Sequence, residues 1–407
     1  MQRSSSVKRI APSTSQTRLP RALYNVRRPW LLPLFWCFEF RSMRTRSPVR
    51  ALCSVFLFSL WASVWAATCQ GQWSWKPVAT GVEASFRGLH AVSDRSIWAC
   101  GSLGSVLLSR DAGDTWQVRR IPGFEAVELR SLHAWNEREA IVATAGQPCA
   151  ILKTSDGGER WREVHRVEHP KAFIDGMKFA NDRMGIVVGD PIDGHWMLLK
   201  SEDSGERWTA AANPPVAAFD GEAAFAASNS SLLALSPDRW LLGSGGNSGH
   251  AQVLVSRDVG QHWERLEVPG IPRHESAGIF SLGARPDAGN PSATWIAVGG
   301  DYKQPALAEK HIALSSDDGA TWRSPTGKPP RGFRSCVVWV PKGKGPSATG
   351  AFWLTVGTDG SEWSADGEDW KPLGDETWHA ISVSPEGTVW GSGGKGRIGK
   401  LVRSDAK

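Results

Sequence analysis

The sequence predicts an all-β chain, a seven-bladed propeller of four-stranded blades closed by its own N-terminal strand. Three observations predict it: a short frame, Ser/Thr-x-Asp-x-Gly-x-x-Trp, recurs along the chain; each copy follows two β-branched runs; and the two ends of the repeat region hold complementary parts of one blade.

The frame appears as SRDAGDTW (109–116), TSDGGERW (154–161), SEDSGERW (201–208), SRDVGQHW (256–263) and SSDDGATW (315–322), with a sixth copy, SADGEDW (364–370), one residue short. The aspartates at 111, 156, 203, 258, 317 and 366 stand 45, 47, 55, 59 and 49 residues apart, the period of propeller blades. In such a turn an aspartate accepts backbone N–H groups, glycine supplies a positive φ, and Ser or Thr adds a second side-chain bond. The pairs Asp111/Trp116, Asp156/Trp161, Asp203/Trp208, Asp258/Trp263, Asp317/Trp322 and Asp366/Trp370 are therefore read as structural staples, with each tryptophan covering apolar surface between blades. Six copies at regular spacing are not six ligand sites.

Before each frame, runs such as SIWACGSLGSVLLS (96–109) read as two strands and a hairpin, with a further strand starting at the tryptophan. An innermost strand precedes each group: 87–92, 130–135, 176–181, 225–235, 278–284, 335–340 and 379–384. The last group, IGKLVRSDAK (398–407), stops where its box should begin, and WKPVATG (75–81) resembles WKPLGDE (370–376). The N-terminal strand is expected to complete the C-terminal blade, which removes an exposed sheet edge.

Composition bounds the partners. The 407 residues carry a net charge of +6, but residues 1–66 hold 11 of the 47 Lys/Arg and one of the 41 acids, Glu39, so the remainder is net −4. A basic surface tracking nucleic acid is not expected. From Met43, three arginines, an apolar run over 51–65 and small residues at 66–67 read as a signal peptide. Residues 1–42 read as an over-extended gene start or a disordered basic segment, and 67–407 as the propeller, exported to the periplasm or secreted. The membrane enters only through the export segment. Of the four cysteines beyond it, Cys69, Cys100, Cys149 and Cys336, the pair to test first for a disulfide is Cys100–Cys149, against free buried thiols.

The boxes, the closing strand, and segments such as SFRGLHAV, GDPIDG, GEAAFAASN, VGGDYKQP and WGSGGKGRIGKL over 75–407 resemble the Asp-box (BNR) repeat propellers, a group shared by sialidases and the photosystem II stability/assembly factor family. The second resemblance implies a seven-bladed, exported binding propeller with a chaperone-like or scaffolding role toward a protein partner. The sialidase resemblance implies an alternative, a glycoside hydrolase with Glu222 and Tyr302 as nucleophile pair and Asp190 or Asp193 as acid. Against it, the substrate-binding arginine motif is only half matched by FRGL (86–89).

Propellers expose function on the loops leading into the innermost strands. The residues at or just before the starts of those strands are Arg87, Arg130, Asp175, Glu222, Glu275, Arg334 and His379, a set expected to hold a carboxylate or charged peptide or to tie down neighbouring loops. No cofactor or metal is expected. GSGGKG (391–396) and GSGGNSG (243–249) lie between strands with no helix to hold a pyrophosphate, the histidines lack zinc spacing, and DPIDG offers too few oxygens for calcium.

Overall fold

Seven antiparallel sheets follow one another along the chain in a computed structural model that describes residues 73–212, 216–247, 251–272, 274–285, 294–307, 311–341 and 350–403. The segment read as a signal peptide, residues 43–66, and Cys69 lie outside the described residues. The first blade runs from an innermost strand, Phe86–Ala91, through Ile97–Gly101 and Ser105–Ser109 to the outermost, Gln117–Arg120. The other innermost strands are Glu128–Ala134, Ile174–Phe179, Leu232–Ser236, Ala277–Arg285, Arg334–Val340 and Ala380–Val383. The ring closes as the two sequence ends imply: Trp73–Val78 pairs antiparallel with Ile398–Arg403, in register from Trp73↔Arg403 to Val78↔Ile398. The Trp75 indole N–H also donates to Ser361 Oγ of the preceding blade at 2.9 Å.

The boxed turns are staples. In the first, Ser109 Oγ donates to Asp111 Oδ1 at 2.8 Å and accepts the Gly113 N–H at 2.9 Å, while Asp111 accepts the Thr115 N–H at 2.9 Å. The same Ser/Thr-to-Asp bond recurs at Thr154/Asp156, Ser201/Asp203, Ser256/Asp258, Ser315/Asp317 and Ser364/Asp366. The turn needs two consecutive left-handed residues, so Ala112, Ser204, Val259 and Asp318 adopt positive φ ahead of the glycine. That glycine is also needed for closeness. A Cβ on Gly113, Gly158, Gly205 or Gly260 would collide with or press on Trp390, Trp98, Ile141 or Ile186 of the preceding blade.

The box tryptophans cover the layer between blades, as expected, but unequally. Trp208, Trp322 and Trp370 are buried, whereas Trp116, Trp161 and Trp263 are half-buried and lie against the apolar clusters from one side. Each box stands at the start of an outermost strand or edge. Trp161, Trp208, Trp263 and Trp370 fold over their own turns, donating the indole N–H to the carbonyl of the box glycine at 2.9 to 3.1 Å. Trp116 and Trp322 instead pack on tryptophans of the second strand, Trp390 and Trp295, with ring centroids 6.4 Å apart in each pair.

That second tryptophan series, Trp98, Trp240, Trp295, Trp353 and Trp390, lies at the start of the second strand of five blades and is fully buried. Each such side chain removes about 150–250 Å² from water, and this layer is the core between blades. Sequence reading assigned the layer to the box tryptophans, and the larger share belongs to the second series.

Two departures from the expected pattern shape the site. The run read as an innermost strand over 225–235 becomes a strand only at Leu232. Its first half instead crosses the centre of the ring: Asn229 accepts the Met177 N–H (2.8 Å) and donates to Leu132 O (3.0 Å), Ser228 donates to Ser335 O (2.7 Å), and Ser230 to Ser281 Oγ (2.7 Å). The fifth sheet gains two short strands at its inner end, Glu222–Ala223 and Gly245–Gly246, while its outermost place is held by a single bridge, Leu314↔Arg323. Cys100, Cys149 and Cys336 are free, buried thiols, so the Cys100–Cys149 pairing is not made. Both lie inside apolar clusters, where burial holds the thiols protonated.

Candidate binding cavity at the mouth of the ring

Five innermost strands carry a β-bulge at the same place, between Phe86 and Gly88, Leu129 and Ser131, Ile174 and Gly176, Ile279 and Ser281, and Arg334 and Cys336. The residues set out of register are Arg87, Arg130, Asp175, Phe280 and Ser335, and all five line one cavity of about 540 Å³. A bulge leaves one residue unpaired and re-aims its side chain. A small residue follows each one (Gly88, Ser131, Gly176, Ser281, Cys336) because neighbouring chain comes close there: a Cβ on Gly88 would meet Cys100 Sγ. His379, in the matching place of the last blade, lines the same cavity, as do Asp190 and Tyr302. None of the box residues does, Trp116, Trp161, Trp263 and Trp322 included.

One wall is charged. Glu128 lies between two arginines, 2.7 Å from Arg130 Nη2 and 3.7 Å from Arg87 Nε. Arg87 also donates to Ala227 O at 3.2 Å and Arg130 to Ala226 O at 3.3 Å, so the crossing segment supplies the backbone that orients both. Burial, then the charge of Arg130, lowers the Arg87 guanidinium to about 10. Burial and the charge of Arg87 hold His379 down to about 4, so its ring is neutral at physiological pH. The facing wall is aromatic. Phe225 stacks on Phe280 at 4.1 Å, and Phe333 and Tyr302 meet Phe280 edge-on at 4.7 and 6.2 Å. Tyr302 is 47% exposed, at the rim.

The remaining candidates sit elsewhere. Arg334 is completely buried, and its guanidinium is bonded to Phe333 O (2.9 Å), Glu362 (2.6 Å) and Asp359, so it braces its own blade and offers nothing to the cavity. Glu275 is exposed, 3.8 Å from Lys303. Glu222 is enclosed by the Phe219 N–H (3.0 Å), Ser244 Oγ (2.8 Å) and Arg265 (2.7 Å), and among the described residues it shares no hydrogen bond with Tyr302. Asp193 occupies the hairpin turn Asp193–Gly194 at positive φ, away from the cavity lining. The carboxylate that the hydrolase alternative names is thus engaged in holding the added strand. Sequence reading missed Glu128 and the phenylalanines. The signal for Phe280 is present, since I-F-S-L (279–282) aligns with L-R-S-L (129–132).

Fold and cavity together define a seven-bladed β-propeller with one open, charged and aromatic mouth. Residues 67–170 match the family described as photosynthesis system II assembly factor YCF48. The curated relative "Photosystem II stability/assembly factor HCF136, chloroplastic" of Arabidopsis thaliana is 24% identical over 124 residues, 30% of this chain and 30% of that protein's length. Among solved structures, "YCF48 bound to D1 peptide" superposes with a TM-score of 0.56 at 16% identity, covering 81% of this chain and 94% of that one. YCF48 from Cyanidioschyzon merolae gives 0.55 at 16%, covering 81% and 99%. The WD40 propeller domain of Doa1 gives 0.53 at 11%, covering 81% and 96%. The structural likenesses show the fold, and the family match makes residues 67–170 similar to the photosystem II assembly factors.

Proposed function

We infer that this chain is an exported, non-catalytic binding propeller of the assembly-factor kind, which takes a segment of a protein partner into the cavity at the mouth of the ring. The observation that carries the reading is the Arg87–Glu128–Arg130 group. Two guanidinium groups share one carboxylate beside an apolar aromatic wall, which leaves one positive charge for a partner carboxylate, an acidic side chain or a chain terminus. The aromatic wall supplies apolar contact area with little conformational entropy to lose. A related propeller has been solved with a peptide bound, which supports a peptide as the ligand class here. Export rests on the basic and apolar segment starting at Met43.

The test is selection from a randomised peptide display library on the purified protein, beside an Arg87→Ala/Arg130→Ala variant with an unchanged melting curve. Enrichment of peptides whose binding depends on a carboxylate, lost in the variant, is the expected result. Equal enrichment by both proteins would overturn the assignment of the arginines.

A further inference from the structure

Asp175, on the bulge of the third innermost strand, is 1% exposed, yet its Oδ2 has no hydrogen-bond partner. Leaving a buried carboxylate oxygen unpaired is costly, so that atom is poised for a group that enters the cavity. Asp190, on the next strand of the same blade, lines the cavity as well, and its carboxylate receives one bond, from the Ala224 N–H at 3.2 Å. Burial, and then the charge of Asp190, pushes the Asp175 carboxyl well above the usual range, while burial raises Asp190 to about 6.

The cations nearby are engaged with other groups. Arg130 donates to Glu128 and Ala226 O, and Arg87 donates to Ala227 O and pairs with Glu128 at 3.7 Å, while the Nε–H of each has no hydrogen-bond partner. His379 is neutral, and the Cys149 thiol, raised by burial and by Asp175, stays protonated. With every carboxylate ionised, the two arginines face three negative charges, so one proton or one monovalent cation balances the cavity. The ring of Phe173, over which Arg130 already sits at 5.9 Å, and the Phe225–Phe280 stack give faces that attract cations.

We propose that Asp175 and Asp190 form a subsite for an organic cation, the ammonium or guanidinium group of a basic side chain on the bound segment, beside the aromatic wall of the cavity. The subsite rests on reading the cavity as a peptide site, and it makes the recognised segment bipolar, with an acidic group at Arg87 and Arg130 and a basic one at the aspartates. Binding displaces the proton that otherwise balances the charge of the cavity.

Calorimetry with benzamidinium, against neutral benzamide, tests the subsite without any peptide. In two buffers of different ionisation heat, the cation should bind with proton release, about tenfold more tightly near about pH 7.5 than near about pH 5.5. Benzamide should not bind. Asp175→Asn should cost at least about tenfold in affinity, Asp190→Asn should abolish proton release, and Ser201→Ala, in a boxed turn outside the cavity lining, should leave cation binding in place. Melting curves of the variants show that they are folded. Binding of benzamide equal to that of benzamidinium, pH-independent binding, an Asp175→Asn protein with wild-type affinity, or no binding of the cation would each overturn the proposal. Failure of the arginine variant to lose peptides in the display selection would overturn the anion reading alone.

Discussion

Asn229 donates its amide to the carbonyl of Leu132, 97 residues away in sequence, at 3.0 Å across the centre of the ring. Its oxygen accepts the Met177 N–H at 2.8 Å, so one side chain ties the crossing segment to the second and third innermost strands. Asn229 also sits at φ 59, a left-handed conformation that asparagine tolerates better than most residues. Asn229→Ala strands a buried N–H and a buried carbonyl, and the expected loss is about 2–4 kcal/mol of stability in urea unfolding. Because Arg87 and Arg130 lean on Ala227 and Ala226 of this segment, the variant should also weaken peptide binding.

The boxed turns should behave as scaffold. Trp208 is nearly buried, against Phe179 of its own blade and Ile141 of the preceding one. Trp208→Ala should therefore cost about 3–5 kcal/mol, and the same change at half-buried Trp161 or Trp263 should cost less. Ser201→Ala, which removes a hydroxyl bonded to both Asp203 and the Gly205 N–H, should cost about 1–2 kcal/mol. Under conditions where the variants remain folded, none should change cavity binding by more than about twofold, since additivity holds between distant sites.

Acid should unfold the protein through these same turns. The Thr115 hydroxyl and N–H hold Asp111 down to about 2, and the other five box aspartates are likewise depressed. A carboxyl whose folded pKa lies below its unfolded value stabilises the fold above the unfolded pKa, near about 4, and loses that contribution as pH falls through the folded value. Neutral buried His90 and His379, both held near 4 chiefly by burial, add a loss that starts higher, as pH falls below about 6.5. Melting temperature should thus decline gently from about pH 6.5 and steeply below about pH 4. A flat profile down to about pH 3 would contradict this account of the boxes.

Sequence carried the boxes, the period and the closing strand, because each rests on local turn chemistry or on a direct repeat. The crossing segment was not legible. Its S-N-S-S run (228–231) looks like the start of a strand, and its partners Met177, Leu132, Ser281 and Ser335 are distant in the chain. The rule of looking just before each innermost strand falls on the bulge at Arg87, Arg130 and Asp175, and on the matching place at His379. It falls one residue early at Arg334, where Ser335 is the bulged residue, and five early at Glu275, where Phe280 is. Bulges are a matter of register between two strands, and register shows only when both strands are in view.

The cavity aspartates should show a stability signature of opposite sign to the boxes. Burial raises Asp175 and Asp190, and an acid with a raised folded pKa stabilises the fold below its unfolded value and loses that contribution as pH rises through the folded one. Asp175→Asn keeps an acceptor for the Asp190 and Ala226 N–H groups and removes the buried charge. Its melting temperature near about pH 8 should equal or exceed that of the wild type, whereas Asp203→Asn in a box should melt lower at the same pH.

The central claim is that the bulged residues and the crossing segment build the binding site. Hydrogen–deuterium exchange of the protein with and without a carboxylate-dependent peptide from the display selection tests it most directly. The account predicts added protection confined to residues 86–88, 128–131, 173–175 and 223–227 at the mouth of the ring. Protection on the boxed turns or the outermost strands, with the mouth unchanged, would contradict it.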